Sequence, residues 1–154
     1  MTVTLVSGVT GVGLSSVCQT VRRKLGDGYK LINFGDVMLE QAATSGVVAE
    51  REDLGTLSQT QTRRLQRRAG EFVADEARRT NVILSTHLAV ETRAGYIQGL
   101  PDEVLDDVSP STFALVEASP ETVLERRGDG GRETQEASER KIAFEQDLNR
   151  SAAL

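Results

Sequence analysis

Nine residues near the N-terminus, Gly8-Val9-Thr10-Gly11-Val12-Gly13-Leu14-Ser15-Ser16, combine a permissive backbone with hydroxyl groups. Glycines in such a run let backbone N–H groups close around an anion, and a helix behind them adds a favourable field. Gly8 and Gly13 have the spacing of a phosphate-binding P-loop, and Ser15 stands where that motif places a magnesium-binding hydroxyl. Leu14 occupies the position of the motif's lysine. A tight strand-to-helix turn that holds no ligand is the plainer alternative for the same residues.

A second group lies far along the chain. Arg126, Arg127 and Arg132 flank Gly128-Asp129-Gly130-Gly131, which reads as a flexible cationic lid. An arginine placed on a transferred phosphoryl group is worth on the order of 10³–10⁵ in rate. His87 is the only histidine. It could orient an acceptor, contact a nucleobase, or simply hold a loop through its ring nitrogens. It has no cysteine or second histidine at ligand spacing, which argues against a metal cage. No nucleophile or general base stands out, and phosphoryl transfer by positioning and electrostatics needs none.

These residues need elements to position them. Residues 2–7 read as a β-branched strand and residues 14–25 as a helix; Gly26-Asp27-Gly28 breaks the pattern and residues 29–34 read as a second strand. Strand, crossover helix and strand within about 35 residues make a βαβ unit and demand a parallel sheet. A short helical stripe follows around Met38 to Ala43, then polar small helices and turns over 44–58. A longer helix is expected over 60–79, with Arg63, Arg64, Arg67 and Arg68 as a solvated flank. A buried strand is expected over 81–86, an irregular loop over 88–101 and a fourth strand over 113–118. Ser119-Pro120-Glu121 opens a helix to about residue 127. A last helix resumes near residue 137. In open parallel sheets ligands sit at the carboxyl ends of the strands. The candidates are therefore the glycine loop, Asn33 to Asp36, Ser85 to His87, and Glu117 to Ser119.

Composition narrows the function classes. The 154 residues suit one domain, and no apolar run is long enough to span a membrane. No secretory signal is evident, and Cys18 is alone, so a reducing cytoplasm is the expected setting. Cys18 itself reads as a small buried hydrophobe. A net charge of −5 argues against broad nucleic-acid binding, and four Phe, two Tyr and no Trp argue against stacking on single strands. Few lysines among many acids fit either a salt-rich cytoplasm or GC-rich coding.

Taken in order, several stretches resemble the archaeal-type adenylate kinases, a branch of the P-loop nucleoside monophosphate kinases. They are the glycine loop with Ser15-Ser16; Asn33-Phe34-Gly35-Asp36-Val37-Met38; Arg51-Glu52-Asp53-Leu54; Gln66-Arg67-Arg68-Ala69-Gly70; Thr86-His87; Gly95-Tyr96-Ile97-Gln98-Gly99-Leu100-Pro101; Val116-Glu117; Glu125-Arg126-Arg127 with Gly128-Asp129 and Arg132; and Asn149-Arg150. The resemblance implies a three-layer α/β sandwich on a parallel sheet, five-stranded in the family, and the reaction ATP + AMP = 2 ADP with Mg²⁺. It implies AMP and ADP as partners, a cytoplasmic location and a homo-oligomer, commonly a trimer. Gly8, Val9, Thr10, Gly11, Val12, Gly13, Leu14, Ser15 and Ser16 would hold the ATP phosphates, with Ser15 facing the metal. Asn33, Phe34, Gly35, Asp36 and Met38, together with His87, Arg93, Gly95, Tyr96 and Gly99, would line the AMP region. Arg126, Arg127, Arg132 and Arg150 would bring positive charge to the reaction.

The chain departs from the family at four places. Leu14 replaces the loop lysine, Ser85 stands where the family has an aspartate before Thr-His, and Thr134 replaces a second lid arginine. The family also continues past the helix of Arg150 with an edge strand, an adenine-contacting turn and a final helix, so this chain is expected to be a truncated domain. The alternatives carried with the adenylate kinase reading are a weakly active or non-catalytic ATP-binding protein and a kinase for another nucleoside monophosphate.

Overall fold

The structure, a computed structural model, describes residues 1–128 and 132–154, the side chains of 132–137 excepted. In chain order its elements are β1 (Val3–Ser7), α1 (Leu14–Leu25), β2 (Tyr29–Asn33), α2 (Phe34–Thr44), a 3₁₀ helix (Arg51–Thr56), α3 (Gln59–Ala77), β3 (Asn81–Thr86), β4 (Ala89–Thr92), β5 (Gly95–Gln98), α4 (Asp102–Val108), β6 (Thr112–Leu115), α5 (Pro120–Arg127) and α6 (Arg132–Ala152).

Four strands form one parallel sheet in the order β2-β3-β1-β6. The registers Ser7↔Thr86 and Ser7↔Leu115 bring the carboxyl ends of β1, β3 and β6 to one level. Val3, Leu5, Val82 and Leu84 share one face with Phe34 and Val37 of α2, Ala69 and Val73 of α3, and Val104 and Val108 of α4. Val6 and Ile83 face the other way, against Cys18 of α1. That alternation is the period of a strand buried on both faces, and it makes a three-layer α/β sandwich. A third cluster of Val9, Val12, Val123, Leu124 and Ile142 packs α5 and α6 onto the glycine loop. Cys18 is fully buried, and burial pushes its thiol pKa up, as suits an inert core residue.

Local chemistry explains most boundaries. Ser58 and Gln61 form a reciprocal capping box, which starts α3 at Gln59. Ser119 caps α5 by accepting from Thr122 N at 3.2 Å, with Pro120 in the first turn. Three expectations are corrected. The fourth strand ends at Leu115. The last helix starts at Arg132, since 132–137 hold no glycine or proline to delay it. The stretch 88–101 is not irregular: it contains the antiparallel hairpin β4–β5, paired from Ala89↔Gln98 to Thr92↔Gly95.

Candidate active site

The strand order creates a crevice. From β1 the chain leaves through α1 toward β2, whereas from β3 it leaves toward β6, on the opposite side of β1. The connections diverge between the carboxyl ends of β1 and β3, the place where open α/β sheets bind ligands. The glycine loop leaves the end of β1 and His87 leaves the end of β3, so the two straddle this point.

The loop's shape follows from its glycines. A Cβ on Gly8 would lie 2.6 Å from Val12 Cγ1 and 2.8 Å from the Val116 carbonyl oxygen, so only glycine lets the loop fold this tightly against β6. Gly13 caps α1 at φ 90°, a left-handed conformation that a side chain disfavours. It also lacks a capping side chain, so no side-chain acceptor claims the first N–H groups of α1. Ser15 and Ser16 lie exposed on that first turn, and Leu14 is half-buried, packed against both the cluster of Val9 and Val123 and the cluster of Val6 and Cys18.

Two arginines of α5 dock on the loop. Arg126 Nη1 donates to the Val12 carbonyl at 2.7 Å, and its guanidinium lies beside Gly13. Arg127 Nε donates to the Thr10 carbonyl at 2.7 Å, and its Nη2 pairs with Glu145 Oε2 at 2.9 Å. The side chain of Arg132 and residues 129–131 lie outside the described residues. Arg150 is bound in a fork by Glu117, with Nε to Oε1 and Nη2 to Oε2 both at 3.0 Å, and also meets Asp147. To reach a phosphate it would have to leave Glu117.

His87 points its Nδ1 at the Gly8 carbonyl, and its ring is exposed. The contact ties the end of β3 to the loop, and the other ring nitrogen remains available. Buried Asn149 makes a second tie: its Oδ1 accepts from Ser7 Oγ at 2.8 Å and from Leu88 N at 3.0 Å. Within β3, Ser85 is buried and its hydroxyl reaches the Ile32 carbonyl of the neighbouring β2 at 3.4 Å.

The remaining predicted residues form two walls. Asn33 caps α2 by accepting from Asp36 N, and Arg51 binds both Asn33 Oδ1 at 3.0 Å and Asp36 Oδ1 at 2.9 Å. Phe34 is buried, Met38 packs beside it, and Gly35 lies under the Arg51 guanidinium. The other wall is the hairpin. Tyr96 is half-buried, Arg93 and Gly95 are exposed at the turn, and Gly99 packs against the His87 carbonyl at its base. Gln66 of α3 donates to the carbonyls of Gln98 and Gly99 at 2.8 and 3.2 Å. A cleft of about 550 Å³ opens between loop and hairpin, lined by Thr10, His87, Tyr96, Arg127 and Glu145 among others.

Glu145 was not read as a ligand or partner residue in the sequence, and Arg51 and Glu117 were read only as members of longer stretches, without a partner. A signal for Glu145 exists: Lys141, Glu145 and Asn149 recur every four residues and so share one stripe of α6. Lys141 pairs with Glu91 of the hairpin and Asn149 with the strand ends, so the whole stripe faces the site.

A family model described as an AAA domain matches residues 7–143. Among solved structures, a chain of the Pnkp1/Rnl/Hen1 RNA repair complex aligns with a TM-score of 0.59 at 16% identity, over 97% of this chain and 45% of that one. A gluconokinase from Sinorhizobium meliloti aligns with a TM-score of 0.51 at 19% identity, over 92% of this chain and 74% of that one. These likenesses concern the fold. Curated adenylate kinases are far more similar in sequence: that of Thermococcus kodakarensis is 35% identical over 153 residues, 99% of this chain and 78% of the relative. The adenylate kinase of Methanothermobacter thermautotrophicus is 36% identical over 155 residues, 100% of this chain and 83% of the relative. With a phosphate-loop fold, two arginines on that loop and relatives of this identity along its full length, the chain belongs to the adenylate kinase family.

Proposed function

We propose that the protein catalyses reversible phosphoryl transfer between ATP and AMP, giving two ADP. The observation that carries this reading, within that family, is the pair of α5 arginines docked on a glycine loop whose own lysine position is Leu14. The loop from Gly8 to Gly13 and the first turn of α1 would receive the ATP phosphates on backbone N–H groups. Leu14 contributes no charge. Arg126, beside Gly13, supplies a cation next to those N–H groups, and Arg127 holds the loop through Thr10.

AMP would lie across the crevice, between the N-terminus of α2 and the hairpin. Arg51 braces the α2 wall, while exposed Arg93 has no hydrogen-bond partner among the described residues and is available to an acceptor phosphate. His87 and Asn149 would keep the two strand ends at a fixed separation, so that donor and acceptor phosphates meet in line. Arg132 and Arg150 would act as further cations, Arg150 after exchanging Glu117 for phosphate.

The residues present fit a Mg²⁺ that arrives with the nucleotide. Ser15 offers one exposed hydroxyl on the first turn of α1, and no group of three acidic or imidazole ligands exists among the described residues. Mg²⁺ takes most of its ligands from phosphates and water in such sites. Held by Ser15 together with the nucleotide, it would supply positive charge to the phosphate oxygens.

A coupled assay with ATP, AMP and Mg²⁺ tests the reading. ADP formation with AMP preferred over CMP, GMP and UMP is expected. Absence of ADP from folded, ATP-binding protein overturns it in favour of a nucleotide-binding protein, and equal use of the other monophosphates overturns the AMP assignment.

A further inference from the structure

Glu145 lies on α6, outside every stretch that carried the family resemblance. Yet its carboxylate joins the two walls of the cleft. Oε2 accepts from Arg127 Nη2 at 2.9 Å, and Oε1 accepts from the Tyr96 hydroxyl at 3.2 Å. Arg127 in turn donates from Nε to the Thr10 carbonyl at 2.7 Å. The line therefore runs from β5 through α6 and α5 to the phosphate loop. Phe144, the neighbour of Glu145, meets the Tyr96 ring edge-on with centroids 5.6 Å apart. Lys141 pairs with Glu91 one turn away, so the hairpin is fastened to α6 at two levels.

The Arg127 and Glu145 side chains are only 19% and 13% exposed. Removing one partner of a pair so far from water leaves the other charge uncompensated, so neither moves cheaply. An arginine whose Nε and Nη2 are both engaged has one orientation. The Tyr96 proton stays in place as well: burial, and then the charges of Glu145 and Glu91, push its pKa up to about 12. Tyr96 is thus a hydrogen-bond donor at any physiological pH.

We propose that Glu145 is a positioning residue that fixes Arg127 on the Thr10 carbonyl and, through Tyr96, makes the geometry of the phosphate loop depend on the acceptor-side hairpin. The assignment of the hairpin to the acceptor rests on the proposed phosphoryl-transfer reading; the link between hairpin and loop does not. It follows that a change confined to the hairpin alters ATP affinity even when no acceptor is present, and that the effect passes through Glu145.

A double-mutant cycle on ATP binding tests this. Calorimetry with ATP and Mg²⁺, without AMP, is run on the wild type, Tyr96→Phe, Glu145→Gln and the double variant. Tyr96→Phe is expected to weaken ATP binding about three- to tenfold, the worth of one hydrogen bond, with little change in unfolding midpoint. Glu145→Gln is expected to weaken it by about tenfold or more, the worth of a charged hydrogen bond. In the Glu145→Gln background, Tyr96→Phe should add nothing further. Independent, multiplying effects overturn the proposal, as does unchanged ATP affinity in Tyr96→Phe. Should Glu145→Gln not fold, the Tyr96→Phe arm alone decides. Wild-type protein that binds ATP but transfers nothing to AMP would overturn the proposed function while leaving this cycle decisive.

Discussion

Leu14 sits where a P-loop lysine would meet the phosphates, and a guanidinium comes instead from α5, where Arg126 donates to the Val12 carbonyl beside Gly13. On the proposed reading, charge and cradle are contributed by different elements. Lysine is a hydrated point charge on a flexible stem, whereas arginine presents a rigid fork that can hold a carbonyl and an anion together. Replacing Arg126 with alanine is expected to lower kcat by about 10³-fold or more, as for other arginines that meet a transferred phosphoryl group, whereas Leu14→Lys changes it by less than about tenfold. Steady-state kinetics at saturating ATP and AMP check both. A large gain from Leu14→Lys would show that the loop itself lacks a needed cation. The spacing of Gly8, Gly13 and Ser15 makes this question visible in the sequence, but the choice among Arg126, Arg127, Arg132 and Arg150 is not. Only geometry shows that Arg150 is held by Glu117 while Arg126 rests on the loop.

At the scale of elements, the hairpin β4–β5 is the feature least visible in the sequence. Its turn residues, Arg93 and Ala94, lack the Asn-Gly or Asp-Gly signature of a two-residue hairpin loop. Thr92 does the turn's work, accepting from Ala94 N at 3.2 Å and donating to the Gly95 carbonyl at 2.7 Å. A lone two-stranded hairpin is marginal in water. This one is held by tertiary contacts: Tyr96 to Glu145, Lys141 to Glu91, and Gln66 to its base. A Cβ on Gly99 would fall on the His87 carbonyl. Gly99→Ala should therefore push the hairpin away from the end of β3, costing about 1–3 kcal/mol in urea unfolding and raising KM for AMP more than KM for ATP. An unchanged ratio of the two KM values would detach the hairpin from the acceptor side.

At the scale of the whole molecule, the site lies where three packed clusters meet. One face of the sheet carries α2, α3 and α4, the other carries α1, and the third cluster sets α5 and α6 against the loop. The loop and the end of β1 thus join parts of the chain more than a hundred residues apart, as the contacts of Thr10 with Arg127 and of Ser7 with Asn149 illustrate. Binding there should stabilise the fold as a unit. ATP with Mg²⁺ at a hundredfold excess over its Kd is expected to add about 2.7 kcal/mol, or about 5–10 °C in Tm for a domain of this size. Differential scanning fluorimetry with ATP alone checks it, and Arg126→Ala should reduce the shift. No shift in a folded protein would argue against the loop as the ATP site.

The sequence by itself determined the βαβ beginning, the parallel sheet, the glycine loop, the long helix α3, the capped helix α5, and the burial of Cys18. Each is written in local terms, as period, spacing or a cap within four residues, and local terms survive in one dimension. Only the tertiary structure decided that Glu145 would join Arg127 to Tyr96, that Glu117 would hold Arg150, and that Asn149 would tie β1 to the start of the hairpin. Those pairings arise because parallel strands put their carboxyl ends at one level, and α5 and α6 then cross above them. The partner of a charged side chain depends on which distant segment that geometry brings within about 3 Å, and no spacing along the chain records it.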